Sequence, residues 1–437
     1  MDLEASHQEH GTPSGSALRG MYMIRARSAS LLLSFLFLAA RVVQGQTLSP
    51  PRPAPPRDFA VMAWGDSPSD PGQLRLMKEA GLNISGFCQA EDLDRVNDAG
   101  LSCFVTDKRV AGYDWEKLPG EDEVQSSVCE LTRQVGSHPA VLGFSLRDEP
   151  SVALMPALGR VAALLRSALP GTWPYVNLFP TYATSEQLGV GSYEEYVRQF
   201  IETVHPPFLS YDNYSLINGE MLDRFYANLE VIRRTSLAAG IPFWNCLLAN
   251  AHFNYLEPSD ATFNLQVYST LAYGGRGIQY FTYFAPSVGN YRLAAIDQFG
   301  HRTPTWSMLQ RINNQIHALA PTLIQLRSTG VYHFPDVPPQ SQPLSQSRLI
   351  KDIQMAAPGI RPPVQARFLV GEFEDRLGHP YLVITNKDLN HSFNFRVALK
   401  QQGRKLMRIS PYSGGEEPFG GEMDWLAPGA GMLLRVE

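Results

Sequence analysis

The sequence predicts an α/β protein, a (β/α)8 TIM barrel followed by a C-terminal all-β sandwich. Three observations predict it. From Asp58 onward eight short apolar runs alternate with helix-like stretches. Most of those runs are apolar on consecutive positions, as parallel strands covered on both faces are. Beyond about residue 328 the helical segments stop, and alternating strand-like runs separated by turn residues take over.

The chain begins with a segment that does not belong to the fold. Arg25 and Arg27 precede an apolar run from about Leu31 to Ala40, and small residues follow. This is the pattern of a secretory signal peptide over 1–45, and the run is too short for a membrane span. Val43 and Gly45 fit a cut before Gln46, and the polar residues 1–20 favour a start at Met21 or Met23. An uncleaved anchor is the alternative. Either way the expected location is secreted or periplasmic. Residues 46–57 include "TLSPPRPAPPR", an extended proline-rich linker.

The barrel is expected over 58–328. Its strand candidates are "FAVMAW" (59–64), "LNISGFC" (82–88), "LSCFVT" (101–106), "AVLGFSL" (140–146), "PYVNLF" (174–179), "PFLSY" (207–211), "PFWNCLLA" (242–249) and "GIQYFTYF" (277–284). Parallel neighbours need a crossover, usually a helix, and each gap holds a helix-like segment. Gly81 and Gly100 end two of these as helix stops. Eight units in this span match the roughly 250 residues of a (β/α)8 barrel. An open doubly wound sheet is the competing arrangement, but no GxGxxG turn follows any strand. The last helix is expected over 303–326. Then "FPDVPPQSQPLSQS" reads as a loop, and "ARFLVGEF", "PYLVITN", "SFNFRVAL", "KLMRIS" and "MLLRV" read as strands of an accessory sandwich over 329–437.

The chain has 437 residues, 44% of them hydrophobic and 11% aromatic, with 37 Lys+Arg against 42 Asp+Glu. The net charge of −5 gives no electrostatic case for nucleic acid, nor for a membrane surface beyond the signal peptide. Cys88, Cys103, Cys129 and Cys246 show no metal spacing; buried free thiols are expected, with a Cys103–Cys129 bridge as the alternative. No metal and no cofactor is expected, since no phosphate loop, dinucleotide fingerprint or GxSxG elbow is present.

In such a barrel the chemistry sits at the C-terminal strand ends. There the sequence places Trp64 and Asp66 on the first strand, Asp107 on the third, and Arg147, Asp148 and Glu149 on the fourth. Asn177 and Tyr182 follow on the fifth, Tyr211, Asp212 and Tyr214 on the sixth, Trp244, Asn245 and His252 on the seventh, and Tyr280 and Tyr283 on the eighth. Aromatic faces stack on sugar rings, and carboxylates and amides pair with hydroxyls, so these are candidate contacts for an oligo- or polysaccharide. Singly each has a plainer role: a strand-end Asp caps a helix, as expected for Asp66 and Asp107, and a strand Tyr or Trp is core.

A fourth strand ending "GFSLRDEP" resembles the clan A glycoside hydrolases, whose strand four ends in (Asn/Asp)-Glu-Pro. The "YVNLFPTYA" and "FLSYDNY" stretches and the closing "LAPGAGMLLRVE" are similar to secreted members of that class. The resemblance implies a glycosidase with Glu149 as general acid/base. Glycosidic cleavage also needs a second carboxylate. The family carries it on strand seven, but "PFWNCLLANAHFNY" has no acid before Glu257. Asp212 on strand six is the expected substitute. "SYDNY" is also similar to chitinase-like barrels, and adjacent Asp-Glu to hexosaminidases, which implies a substrate-assisted alternative. The last alternative is a carbohydrate-binding barrel without catalysis.

Overall fold

The computed structural model describes residues 58–355, 365–421 and 424–437. The expected signal peptide and proline-rich linker therefore lie outside the described residues.

Eight parallel strands close into a barrel: β1 (Ala60–Ala63), β2 (Ile84–Cys88), β3 (Ser102–Val105), β4 (Val141–Asp148), β5 (Trp173–Leu178), β6 (Leu209–Asp212), β7 (Phe243–Leu248) and β8 (Gly277–Phe281). Each falls on one of the eight expected runs. The strand β4 continues two residues past its apolar stretch, so that Asp148 still pairs with Asn177 of β5. The helices between them start where their caps dictate. Asp70 accepts from the Gln73 N–H at 2.8 Å and Pro71 opens α1 (Pro71–Glu79).

Alternation along the strands sorts the barrel into an inside and an outside. Phe104, Tyr175, Phe208 and Trp244 pack inside with Ala60, Met62 and Ile84. Phe208 and Trp244 stack with ring centroids 4.0 Å apart. Trp244 lies flat against Gly277, where a Cβ would come within 2.4 Å of the indole. The lower barrel is thus plugged by aromatic rings. The side chains of the opposite parity, among them Val61, Cys103, Phe144 and Tyr211, form the layer between strands and helices.

Cys88 and Cys103 sit side by side on β2 and β3 with sulfurs 2.9 Å apart, both free and buried. This corrects the Cys103–Cys129 alternative: Cys129 is on α4 (Glu121–Val135), half-buried and also free.

The helix α10 (Pro304–Leu323) closes the barrel, and the β region begins directly after it. Two sheets face each other across a core that includes Tyr332, Phe368, Leu382, Phe393, Phe395 and Leu434. The larger sheet has seven strands, among them Phe368–Glu374, Pro380–Asn386 and Gly431–Val436, and the smaller has three. The sequence hid Arg327–Phe334, which runs across the expected boundary at 328, and Ile350–Met355, besides the short strands Gln342–Pro343, Glu416–Pro418 and Trp425–Leu426.

The helix α9 (Asp260–Ala272) is buried on both flanks, between barrel and sheet. Gly371 lies against it so closely that a Cβ would meet the Ala272 carbonyl oxygen at 2.1 Å. No helix among the described residues is long and apolar enough to cross a membrane.

Candidate active site

Above the aromatic plug, polar side chains from β4, β5, β6 and β8 converge. The residue Glu149 immediately follows β4 and holds a left-handed backbone, φ +43°. For a residue with a Cβ that conformation costs about 1–3 kcal/mol and persists only where neighbours enforce it. They do so here: the Glu149 N–H donates to the Asn177 carbonyl at 2.8 Å, and the Pro150 carbonyl accepts from the Tyr196 hydroxyl at 2.8 Å. The next peptide is Pro150, which forbids a further ladder bond.

Asp212 ends β6 on its inward parity and is buried. Asn177 joins the acids: its Nδ2 donates to Asp212 Oδ1 at 2.8 Å and to Asp148 Oδ1 at 3.2 Å. Below, Ser210 Oγ donates to Asn177 Oδ1 at 2.9 Å, and Gln279 Nε2 donates to Ser210 Oγ at 2.7 Å. The Tyr175 hydroxyl donates to Gln279 Oε1 at 2.6 Å and also lies 3.0 Å from Ser210 Oγ, which closes the three side chains into a ring.

Three acids in one mouth hold their protons more tightly than usual. Burial, then the charge of Asp148, pushes Glu149 up to about 7. Burial drives Asp212 well above the carboxylate range, helped by Glu149 and Asp148 and opposed by the Asn177 hydrogen bond. Asp148 is also raised by desolvation, against Asn177 and Arg147. Arg147 acts on Asp148, and no ion pair of Glu149 is found among the described residues.

Aromatic rings wall this cluster. Tyr214 stacks on Phe281 with centroids 5.3 Å apart, and its hydroxyl is 3.5 Å from Cys246 Sγ. Trp64 meets Phe87 and Phe281 edge-on, each at 5.5 Å. Tyr182 is 39% exposed and carries the Arg224 guanidinium over its ring at 4.3 Å. His252 stacks on Tyr291, and its Nδ1 bonds Asn250 Oδ1 at 2.8 Å. Burial and Arg292 lower the His252 pKa, so the ring stays neutral near pH 7.

The structure thus brings Trp64, Asp148, Glu149, Asn177, Tyr182, Asp212, Tyr214 and His252 to the mouth. It does not bring the others. Tyr211 points outward from β6 into the helix layer. Asn245 also faces out and donates to Thr270 on α9 at 2.9 Å. Tyr280 does the same toward Asn313 on α10, at 2.6 Å. Tyr283 is buried in the outer core, and Trp244 is part of the barrel plug. Asp107 caps α3 (Lys108–Ala111), accepting from the Arg109 backbone and guanidinium. That pairing holds the Asp107 carboxyl below its usual range. Asp66 stands exposed just past the end of β1, bridged through its backbone to Phe87.

Four participants escaped sequence reasoning: Tyr175, Ser210, Gln279 and Cys246. The signal was available for the last, because β6 and β7 pair Asp212 with Cys246 in register.

No family model matches the chain, and no curated protein matches it. Among solved structures the chain is similar to a family 5 glycoside hydrolase from Bacteroides vulgatus: 13% identity, TM-score 0.50, covering 87% of this chain and 89% of that one. A β-galactosidase from the psychrophilic Marinomonas ef1 matches at 11% identity and TM-score 0.48 over 62% of each chain, so this chain spans about 62% of that protein's length. A glucosidase from Croceicoccus marinus matches at 10% identity and TM-score 0.44, covering 88% of this chain and 97% of that one. The Bacteroides likeness reaches beyond the barrel into the β region and shows a shared fold, that of a (β/α)8 barrel with an appended β domain.

Proposed function

We propose that this protein is a secreted glycoside hydrolase that cleaves O-glycosidic bonds with two carboxylates. Glu149 is the general acid/base and Asp212 the second carboxylate. The observation that carries the reading is the convergence of these acids from β4 and β6 on one mouth, with Glu149 held near 7. A carboxylic acid with that proton affinity is about half protonated at neutral pH, which suits a proton donor to a leaving oxygen.

In the proposed reaction the Glu149 proton passes to the glycosidic oxygen as the bond to the anomeric carbon breaks. In its ionised form Asp212 either bonds to the anomeric carbon and is then displaced by water, whose proton returns Glu149 to the acid form, or takes the proton of a water that attacks that carbon. In the second case Asp212 then gives its proton up and Glu149 regains one through solvent. The Asn177 amide steadies the negative charge on Asp212. Trp64, Tyr182, Tyr214 and His252 supply ring faces and polar edges to sugar hydroxyls.

A second reading rests on the lack of an inward acid on β7, where Cys246 stands beside Asp212. There an N-acetyl group on the substrate would attack, with Asp148 and Glu149 as its partners. The test is a panel of aryl glycosides, N-acetylhexosaminides included, run on the wild type, Glu149→Gln and Asp212→Asn. Release of aglycone by the wild type, lost in both variants while sugar binding persists, supports the reading. Binding without release by the wild type overturns it in favour of a binding barrel.

A further inference from the structure

Among the described residues, Arg224 at the mouth pairs with no carboxylate. It is the first residue of α8 (Arg224–Ala239), directly after the loop that follows β6, and so stands on the same barrel face as the acids. The side chain is half-buried. Its Nε donates to Ser215 Oγ at 3.0 Å and its Nη2 to the Tyr214 carbonyl at 3.2 Å, while its plane sits over the Tyr182 ring. The support beneath is rigid. The buried Asn228, one turn further along α8, accepts from the Thr181 N–H at 2.8 Å and from Asn213 Nδ2 at 2.9 Å, which ties the loops after β5 and β6 together. A guanidinium carries five N–H groups in a fixed fork. Here Nε and one Nη2 hydrogen are used, and among the described residues Nη1 has no partner, so the edge formed by Nη1 and Nη2 is open.

The other charged groups around the mouth have their own partners. Arg147 acts on Asp148, and Arg292 pairs with Glu257 at 3.1 Å. Asp223, beside Arg224 in sequence, acts on Tyr226 and Lys387. Asp212 and Arg224 both act on the hydroxyls of Tyr182 and Tyr255, with opposite signs, so acid, hydroxyls and cation share one neighbourhood. Burial keeps both hydroxyls protonated and able to donate. Glu149 and Asp212 also hold their protons tightly, which lessens the repulsion that ionised acids would exert on an incoming anion.

We propose that Arg224, with the Tyr182 and Tyr255 hydroxyls, forms a subsite for the carboxylate of a uronic acid, so that the sugar held in the mouth is acidic. The open edge of the fork presents two parallel N–H groups, and a carboxylate offers two coplanar oxygens to match them. A neutral hexose has a single hydroxyl oxygen at the corresponding carbon. It leaves half of that edge unpaired and the positive charge unanswered. Stacking on Tyr182 holds the guanidinium plane in place, so the edge is preorganised for a planar partner. The subsite lies in the mouth of the proposed glycosidase and rests on that reading only for the cleavage step; binding stands without it.

The test measures binding and turnover separately. A panel of aryl uronides in both anomers, each with its neutral hexoside parent, is titrated by calorimetry into the wild type and Arg224→Leu and then assayed for aglycone release. The wild type is expected to bind a uronide about tenfold or more tightly than its neutral parent, the worth of a charge-assisted hydrogen bond, and to show the same preference in kcat/KM. In Arg224→Leu that ratio is expected to fall about 10–100-fold, and in Tyr182→Phe by less. A residue that only braced the loop would weaken both members of a pair together and leave the ratio in place. Uronide preference in binding without any turnover keeps the subsite and removes the glycosidase reading. Turnover of neutral hexosides with no preference for uronides keeps the glycosidase reading and overturns the subsite, as does the absence of preferential uronide binding in any other form. An unchanged ratio in Arg224→Leu also overturns it; should that variant not fold, an unchanged ratio in Arg224→Gln, which keeps a donor for the Tyr214 carbonyl, does so.

Discussion

Tyr211 and Asp212 are consecutive residues on β6, and their side chains lie on opposite sides of the barrel wall. Asp212 meets Asn177 inside, while Tyr211 packs among the outer helices with a buried hydroxyl that has no partner among the described residues. Removing that unpaired hydroxyl leaves nothing unsatisfied. Tyr211→Phe is therefore expected to keep activity within about twofold and to hold or raise Tm, whereas Asp212→Asn, one residue on, removes activity. Paired kinetic and melting measurements on the two variants check this.

The same alternation explains how much of the mouth was legible. The eight strands were readable because parallel strands buried on both faces are continuous apolar runs. That continuity is also what concealed their parity. Without a polar-in, apolar-out signature, Tyr211, Trp244, Asn245 and Tyr280 looked as available as Asp212. Once Asp212 is inward, a period of two removes Tyr211; the register with β7 then brings in Cys246 and excludes Asn245. Tyr175, Ser210 and Gln279 were hidden for another reason. Each is an ordinary strand residue until three separate strands close the barrel around them. Asp107 was legible in both its roles, and the structure selects the cap.

Asp107 supplies a matching control at a strand end. It accepts from the Arg109 backbone N–H at 2.8 Å and from its guanidinium at 2.7 Å, away from the acid cluster. Replacing an N-cap aspartate with alanine costs about 0.5–2 kcal/mol. Asp107→Ala is expected to lower stability within that range and leave kcat unchanged. Denaturant unfolding and steady-state rates on the same preparation test it.

The raised pKa of Glu149 fixes the sign of a stability change with pH. The folded state holds its proton up to about 7, whereas an unfolded glutamate releases it near the ordinary value of 4.5. Between these values the folded state binds more protons, so stability falls as pH rises across the window. Glu149→Gln removes this contribution. The variant is expected to show a flatter Tm profile from pH 4.5 to 7 and a higher Tm than the wild type at pH 7.5. Melting both proteins across that range reads it; parallel profiles would show that Glu149 is not desolvated.

The β domain reaches the site through α9. Gly371 packs on the Ala272 carbonyl, and Gln266 of the same helix clamps both the N–H and the carbonyl of Leu248 at the end of β7, at 2.9 and 3.2 Å. A side chain at position 371 must push the helix away. Overpacking of this kind typically costs about 1–3 kcal/mol. Gly371→Val is expected to lose stability in that range and to lower activity by moving β7, although it lies in the other domain. A drop in Tm with an unchanged rate would show that the domains are uncoupled.

The most direct test of the two-acid account is the dependence of each loss on the leaving group. A poor alkoxide needs a proton from Glu149, and a dinitrophenolate does not. On substrates of one sugar, Glu149→Gln is expected to lose about 10²–10⁴-fold in kcat on an alkyl glycoside and little on cleavage of the dinitrophenyl bond, while Asp212→Asn loses heavily on both. Equal losses for Glu149→Gln on both leaving groups, or full activity of Asp212→Asn on either, would contradict the assignment.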